Sequence, residues 1–214
     1  MPREQTYTAI ILKKQPFGEA DEIITFFTSE SGKLRGLAKS VKLPKSKLQN
    51  CLQSLFLVDL TLSGKSQLPQ IIGAEPKKTF FRLRQDLESL KRAFYAAELV
   101  LKFTPDAQSN EGIFLLLENF LEFLDTYPDF KDAALAKLKA SFLRLEGFSI
   151  VDHGDLSGRP ELLKLCQRLE ETGFGSLQTR TWSGLGPLQD FLSEFIVFNL
   201  ERQLKSEKFL NSPV

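Results

Sequence analysis

The hydrophobic pattern of the chain changes its period once, near residues 75–79. Before this point, short runs rich in Ile, Val, Phe and Thr are separated by Gly, Pro and Ser turns, which is typical of β-strands. After it, apolar residues recur at three- and four-residue steps, as they do along one face of an α-helix. The change predicts an α+β chain with two domains, residues 1–78 and 79–214.

The strand-rich domain has five predicted strands, over residues 7–12, 22–28, 33–39, 55–62 and 68–74. An open sheet of five short strands leaves unpaired edges, and closure into a small barrel removes them. The five-stranded oligonucleotide-binding (OB) barrel solves this problem at this size. We therefore expect an OB barrel in residues 1–78.

The rest of the chain is predicted to be an all-helical domain. Helical periodicity covers residues 80–101, 112–124, 130–145, 160–171 and 185–208. Proline-containing breaks and glycines separate these segments, as is usual at helix ends.

A basic segment without any acid occupies residues 32–53 of the strand-rich domain. Its six cations are Lys33, Arg35, Lys39, Lys42, Lys45 and Lys47. Cations without counter-charges repel one another, and a polyanion such as nucleic acid would relieve this repulsion. A solvated loop is the alternative interpretation, because blocks of like charge are often simply hydrated.

The two predicted domains also differ in charge. Residues 1–84 contain fourteen basic and seven acidic residues, whereas the remaining residues contain fourteen basic and twenty acidic ones. The near-neutral net charge of +1 hides this difference. A basic first part and an acidic second part indicate modules with different partners.

Single-stranded nucleic acid is usually bound by phosphate contacts together with stacking on aromatic rings. The six cations of the basic segment are the candidate phosphate ligands, and Tyr7 and Phe17 are candidate stacking residues. Burial in the core is the alternative for both rings, because aromatic side chains are mostly buried.

The composition argues against several other classes. The chain has only Cys51, Cys166 and His153 as thiol or imidazole groups, so we expect neither a disulfide framework nor a metal site. No catalytic constellation or phosphate-binding glycine loop is evident, and we expect a protein that is not an enzyme and needs no cofactor. No signal peptide or membrane-spanning run is evident, which predicts a cytoplasmic protein without a membrane partner.

Several short motifs resemble the N-terminal domain of the bacterial RecO family of DNA-repair mediators. They are YTAIIL at 7–12, GEAD at 18–21, ITFFT at 24–28, GK at 32–33, AK at 38–39, KS at 45–46 and LQ at 52–53. Further along, LRLEGF at 143–148 and LKSEKFL at 204–210 resemble the family's helix end and its C-terminal lysine–serine box.

This resemblance implies an OB barrel followed by a helical domain, and binding of single- and double-stranded DNA. It further implies strand annealing and partnership with RecR and single-stranded DNA-binding protein in loading RecA, at the nucleoid. Many members carry a four-cysteine zinc site, but residues 150–181 hold Cys166 alone, so we expect no zinc finger. The family's Gln-Pro-Phe entry to the fourth strand is Gln-Ser-Leu here, at residues 53–55.

Two further expectations concern protein partners. A groove between helices could bind the acidic, aromatic-ended tail of single-stranded DNA-binding protein, and Arg202, Lys205 and Lys208 are weak candidates for its carboxylates. The alternative to a DNA-binding mediator is a protein-interaction adaptor, in which the barrel docks onto another repair subunit and its lysines meet an acidic partner.

Overall fold

The computed structural model describes residues 4–64, 66–148, 150, 159–200, 204, 206 and 210. Within them, strands come first and helices follow, which confirms the predicted α+β class. The strands are β1 (Glu4–Phe17), β2 (Asp21–Thr28), β3 (Gly32–Ala38), β4 (Leu57–Ser63) and β5 (Gln70–Lys78). The helices are α1 (Leu87–Phe103), α2 (Glu111–Thr126), α3 (Lys131–Leu145), α4 (Pro160–Glu171) and α5 (Leu185–Leu200).

The five strands form a closed barrel in the order β1-β2-β3-β5-β4. Strand β1 closes the barrel because it pairs antiparallel with both β2 and β4. Strands β3 and β5 meet through a parallel pairing of Leu37 with Gln70. A five-stranded Greek-key barrel is the OB architecture, so the predicted barrel is confirmed.

Three strands differ in extent from the prediction. β5 begins two residues later and ends four residues later than the predicted 68–74. β1 is longer, because a bulge between Ile11 and Lys13 lets the polar residues after it continue pairing with β2 as far as Phe17. β4 begins only at Leu57. Leu55 has a φ of +70°, a left-handed conformation that cannot extend a strand, and its N–H donates instead to the Ile11 carbonyl at 2.7 Å.

The barrel interior is apolar and contains one of the two adjacent phenylalanines of β2, Phe26 and Phe27. Phe26 belongs to the interior cluster, together with residues such as Ile24 and Leu60. Neighbouring strand residues point to opposite faces, so Phe27 lies outside the barrel. It is nevertheless fully buried, because it stacks on Phe114 of α2 with ring centroids 6.5 Å apart.

The chain divides into two compact units. The first unit contains residues 1–80 and 100–118, and therefore includes the end of α1 and the start of α2 as well as the barrel. The second contains residues 81–99 and 119–214. The predicted domains, 1–78 and 79–214, place all the helices in the second domain. In the structure, residues 100–118 belong to the same compact unit as the strands.

The second unit is built on α3, which contacts both α4 and α5. Residues 133–143 of α3 are buried, including two lysines. The Lys137 ammonium donates to the carbonyls of Leu169 and Glu170, at 3.0 and 3.3 Å. These carbonyls are in the last turn of α4, where helix acceptors lack partners within the helix. The Lys137 cation satisfies them and interacts favourably with the negative end of the helix dipole. In the part of the chain that the structure describes, no helix is long and apolar enough to cross a membrane.

Candidate nucleic-acid interface

The basic loop, residues 39–47, is a series of turns between β3 and β4, and the core holds it in place. Val41 within the loop and Leu52 after it are buried in the barrel cluster, and Leu48 packs against that cluster. Burying a Val or Leu side chain contributes about 1.5–3 kcal/mol. The apolar residues therefore hold the loop against the barrel, while the residues between them are left to solvent.

Backbone contacts place the basic loop beside the turn that joins β1 to β2. The Ser40 N–H donates to the Asp21 carboxylate at 2.7 Å, and the Lys42 N–H donates to the Ala20 carbonyl at 3.0 Å. The end of β1 carries Phe17, which is 48% exposed. We name Phe17 and the basic loop together the cationic tip.

The lysines of the cationic tip are available to a ligand. Lys39, Lys45 and Lys47 are exposed, and Lys42 is half-buried. None of the four forms an ion pair with a carboxylate among the described residues. The tip thus combines uncompensated positive charge with an exposed aromatic ring, the two features that single-stranded nucleic acid requires.

Lys33 has a different environment from the other predicted phosphate ligands. It is 9% exposed, and its ammonium donates to the carbonyls of Leu101 and Thr104, at 2.8 and 2.6 Å. The Asp106 carboxylate lies 3.2 Å from the same nitrogen. Lys33 therefore satisfies acceptors at the end of α1, and its charge is already compensated within the first unit.

Arg35 and Tyr7 lie in a groove on the barrel surface. The groove has a volume of about 800 Å³ and is bordered by β1, β3 and the β4–β5 loop. Its residues include Gln5, Gln15, Leu34 and Pro69. Tyr7 is half-buried against the barrel cluster, so only part of its ring is available for stacking. The face formed by β2 and β3 and the β4–β5 loop are the regions with which OB folds bind oligonucleotides.

The groove also contains a carboxylate that sequence analysis did not include in the site. Asp106 Oδ2 is 2.9 Å from the Arg35 guanidinium. Burial acts to raise the pKa of Asp106, but hydrogen bonds and charge from Lys33 and Arg35 outweigh it, so this pKa lies below its ordinary value. No sequence signal connects Asp106 with the groove, because it follows β3 by about seventy residues.

The structure thus separates the predicted barrel residues into two groups. Phe17, Lys39, Lys42, Lys45 and Lys47 are at the cationic tip, whereas Tyr7, Lys33 and Arg35 line the groove. The three predicted peptide ligands, Arg202, Lys205 and Lys208, lie outside the described residues.

The second unit has a groove of its own, with a volume of about 800 Å³. Phe198 of α5, which is 81% exposed, lies on it beside Leu135 and Val197. Two cations border it. Arg92 is bound by Glu88 and Asp132, at 2.8 and 2.7 Å. Lys139 donates to the Ser193 hydroxyl at 2.5 Å and lies 4.9 Å from the centre of the Tyr95 ring.

Metal-binding groups are sparse in the described part of the chain. No group of three or more His, Cys, Asp or Glu residues there could hold a metal ion. Cys166 is buried in α4, and burial raises its pKa to about 12. A thiol with so high a pKa stays protonated at neutral pH and is a poor metal ligand.

A closed five-stranded barrel in this strand order is the OB fold, a class whose members bind oligonucleotides or oligosaccharides. Two family models define the class further: recombination protein O N terminal matches residues 1–80, and recombination protein O C terminal matches residues 84–151. The chain belongs to the recombination protein O (RecO) family, which confirms the resemblance seen in its motifs.

Similar proteins carry the same name. The chain is 36% identical over 124 residues to a DNA repair protein RecO from Dehalococcoides mccartyi, which covers 58% of this chain and 49% of that protein. It is 33% identical over 153 residues to that of Geobacter metallireducens, covering 70% and 62%. The match to the Moorella thermoacetica protein is 31% over 160 residues, covering 74% and 56%. The chain thus spans about half the length of the first curated relatives that it matches. Each of these three relatives is named as a DNA repair protein.

Proposed function

We propose that this protein is a non-enzymatic recombination mediator that binds DNA through the cationic tip of its barrel. It binds single strands, contacts duplex through the same lysines, and brings complementary strands together for annealing. With RecR, it helps to load RecA onto strands coated with single-stranded DNA-binding protein. These partners are the ones that the resemblance to the RecO family implies, whereas the DNA site is argued from the geometry of the tip.

The observation that carries the proposal is the set of four lysines at the tip that form no ion pair with a described carboxylate. Buried Val41 and Leu52 hold the loop in place, so most of its ordering is achieved before DNA binds. Preorganisation of this kind reduces the entropy lost on association. Phe17 adds an exposed ring, and stacking of one base on an aromatic side chain is worth about 1–3 kcal/mol.

The experiment compares two triple variants of the full chain that remove the same charge. The first replaces Lys42, Lys45 and Lys47 with Ala. The control replaces three exposed cations of the second unit, Arg159, Lys164 and Arg180, also with Ala. Affinity for a labelled oligonucleotide is measured by fluorescence anisotropy at low salt, where electrostatic binding is strongest.

The tip variant should lose most of its affinity and the control should stay close to wild type. Phe17→Ala should weaken binding of single strands more than that of duplex, because duplex bases are already stacked. Equal losses in both triple variants would show a general charge effect, and a loss confined to the control variant would place the DNA on the second unit. Wild-type protein without measurable affinity would favour the adaptor, in which the lysines contact an acidic protein partner.

The groove of the second unit supports a second binding function, for the acidic tail of single-stranded DNA-binding protein. The exposed Phe198 offers an apolar contact to the aromatic end of the tail. Arg92 beside it is paired with Glu88 and Asp132, and Lys139 is buried, so a carboxylate of the tail would have to displace an existing partner. Asp190 and Glu194 also border the groove and would oppose an acidic peptide where they face it. Titration of the tail peptide against wild type and Phe198→Ala tests this function. The exposed Phe81 provides a control substitution outside the groove, and equal affinities of the two variants would contradict the assignment.

A further inference from the structure

Residues 104–108, which follow α1, lie along the start of β3 and form what we name the strap. The Ala107 N–H donates to the Lys33 carbonyl at 2.9 Å, and Lys33 and Asp106 form a parallel bridge. The Lys33 ammonium also donates to the Thr104 carbonyl, at 2.6 Å. Backbone contacts therefore keep the strap in place whatever the Asp106 side chain does.

The side chain of Asp106 is directed at the cation of the groove. One carboxylate oxygen is 2.9 Å from the Arg35 guanidinium, and the other is 3.2 Å from the Lys33 ammonium. The Arg35 and Asp106 side chains are 56% and 55% exposed, so solvent or a ligand can reach the pair. Both residues line the groove with Tyr7 and Gln15.

A carboxylate and a phosphate bind a guanidinium in the same way, through parallel N–H···O contacts. Since Arg35 already has a carboxylate partner, a phosphate in the groove must compete with Asp106. We propose that Asp106 occupies the phosphate position on Arg35, so that a strand enters the groove only by displacing this carboxylate. This inference rests on the proposed DNA binding and adds an internal competitor to it.

Displacement is feasible because little else changes. The carboxylate can turn away about its own side-chain bonds while the strap keeps its backbone contact with Lys33. Lys33 retains the carbonyls of Leu101 and Thr104, so its ammonium is not left without acceptors. Asp106 therefore reduces affinity for polyanions in general. A strand that fills the groove must make contacts that offset the loss of the Arg35–Asp106 ion pair.

Removal of the competitor should raise affinity. Asp106→Asn should lower the Kd for a single-stranded oligonucleotide by about two- to fivefold, as expected for an exposed ion pair. The log–log salt slope should steepen by about 0.7, since Arg35 gains one phosphate. Glu75→Gln is the charge control, because Glu75 is an exposed acid of the barrel that does not line the groove.

The double variant Arg35→Ala with Asp106→Asn decides whether the gain acts through Arg35. The proposal expects the gain to disappear in the Arg35→Ala background, as in a double-mutant cycle of contacting residues. A gain that persists without Arg35, or one that Glu75→Gln reproduces, would overturn it in favour of a general charge effect. An Asp106→Asn protein of wild-type affinity and reduced thermal stability would show that the carboxylate only supports the fold.

Failure of the inference can be told from failure of the proposed function. If wild type binds the oligonucleotide and the Lys42, Lys45 and Lys47 variant does not, DNA binding at the tip stands whatever Asp106 does. If wild type does not bind, the proposed function itself fails. Melting curves of all variants show whether each one folds.

Discussion

Replacing Gly32 with Ala should destabilise the first unit much more than the same change at Gly18. Both glycines have a φ of +66°, so both substitutions impose the same left-handed backbone on an alanine. That strain is worth about 1–2 kcal/mol. The two sites differ in their surroundings: a Cβ at Gly18 would have no atom within 4 Å, whereas one at Gly32 would lie 1.9 Å from the Gln108 carbonyl oxygen.

The Gly32 contact cannot be relieved by a side-chain rotation, because the atoms in the way are backbone. The strap must move, which weakens the Ala107–Lys33 hydrogen bond. Overpacking of this kind adds about 1–3 kcal/mol, and the lost hydrogen bond about another 1 kcal/mol. We therefore expect Gly32→Ala to be less stable than Gly18→Ala by about 2–4 kcal/mol.

The assay is thermal unfolding followed by far-UV circular dichroism. For a chain of this size, 1 kcal/mol corresponds to about 2–4 °C, so the two melting temperatures should differ by about 4–16 °C. Gly18→Ala itself should melt only a few degrees below wild type. Equal melting temperatures for the two variants would refute the packing of the strap against the turn before β3.

Three further predictions concern charge and metal. Lys33→Met should lower the free energy of unfolding by about 1–3 kcal/mol, because it leaves the carbonyls of Leu101 and Thr104 without their donor. Lys47→Met should leave the melting temperature unchanged but weaken DNA binding measured by anisotropy. The reverse pattern in the two measurements would contradict both roles. Burial raises the pKa of Glu146 above its ordinary value of 4.5, so its contribution to stability is present below pH 4.5 and is lost as pH rises through the folded-state pKa. Glu146→Gln should therefore raise the melting temperature relative to wild type more at pH 7 than at pH 4. A larger gain at pH 4 would contradict the upward direction of this pKa shift. Folding should not depend on zinc, since the chain has two cysteines and one histidine; stoichiometric zinc by elemental analysis, or unfolding by a chelator, would contradict this.

The elements that sequence analysis predicted best are those with a strong local pattern. The helix over 160–171 agrees with α4, because Pro160 marks its first turn and apolar residues recur regularly along it. The barrel could be predicted from the number and shortness of the strands. The end of β1 could not, because Lys13, Lys14, Gln15 and Pro16 have the composition of a turn, and only pairing with β2 keeps them in a strand.

The candidate site shows the same limit. The basic loop of the cationic tip could be predicted as a charged loop, because it lies in the segment 32–53, which has six cations and no acid. The environment of Lys33 could not, since its acceptors come from Leu101 and Thr104, far along the chain. A local pattern records which residues are charged, whereas tertiary contacts decide which charges are already compensated.

The most direct test of DNA binding at the cationic tip is the dependence of the oligonucleotide Kd on salt concentration. Each phosphate contact to a single strand contributes about −0.7 to the log–log slope, so the four tip lysines predict a wild-type slope of about −3. Replacing Lys42, Lys45 and Lys47 with Ala should flatten the slope by about 2, because three contacts are lost. An unchanged slope in this triple variant would contradict the account, since the phosphates would then be bound elsewhere.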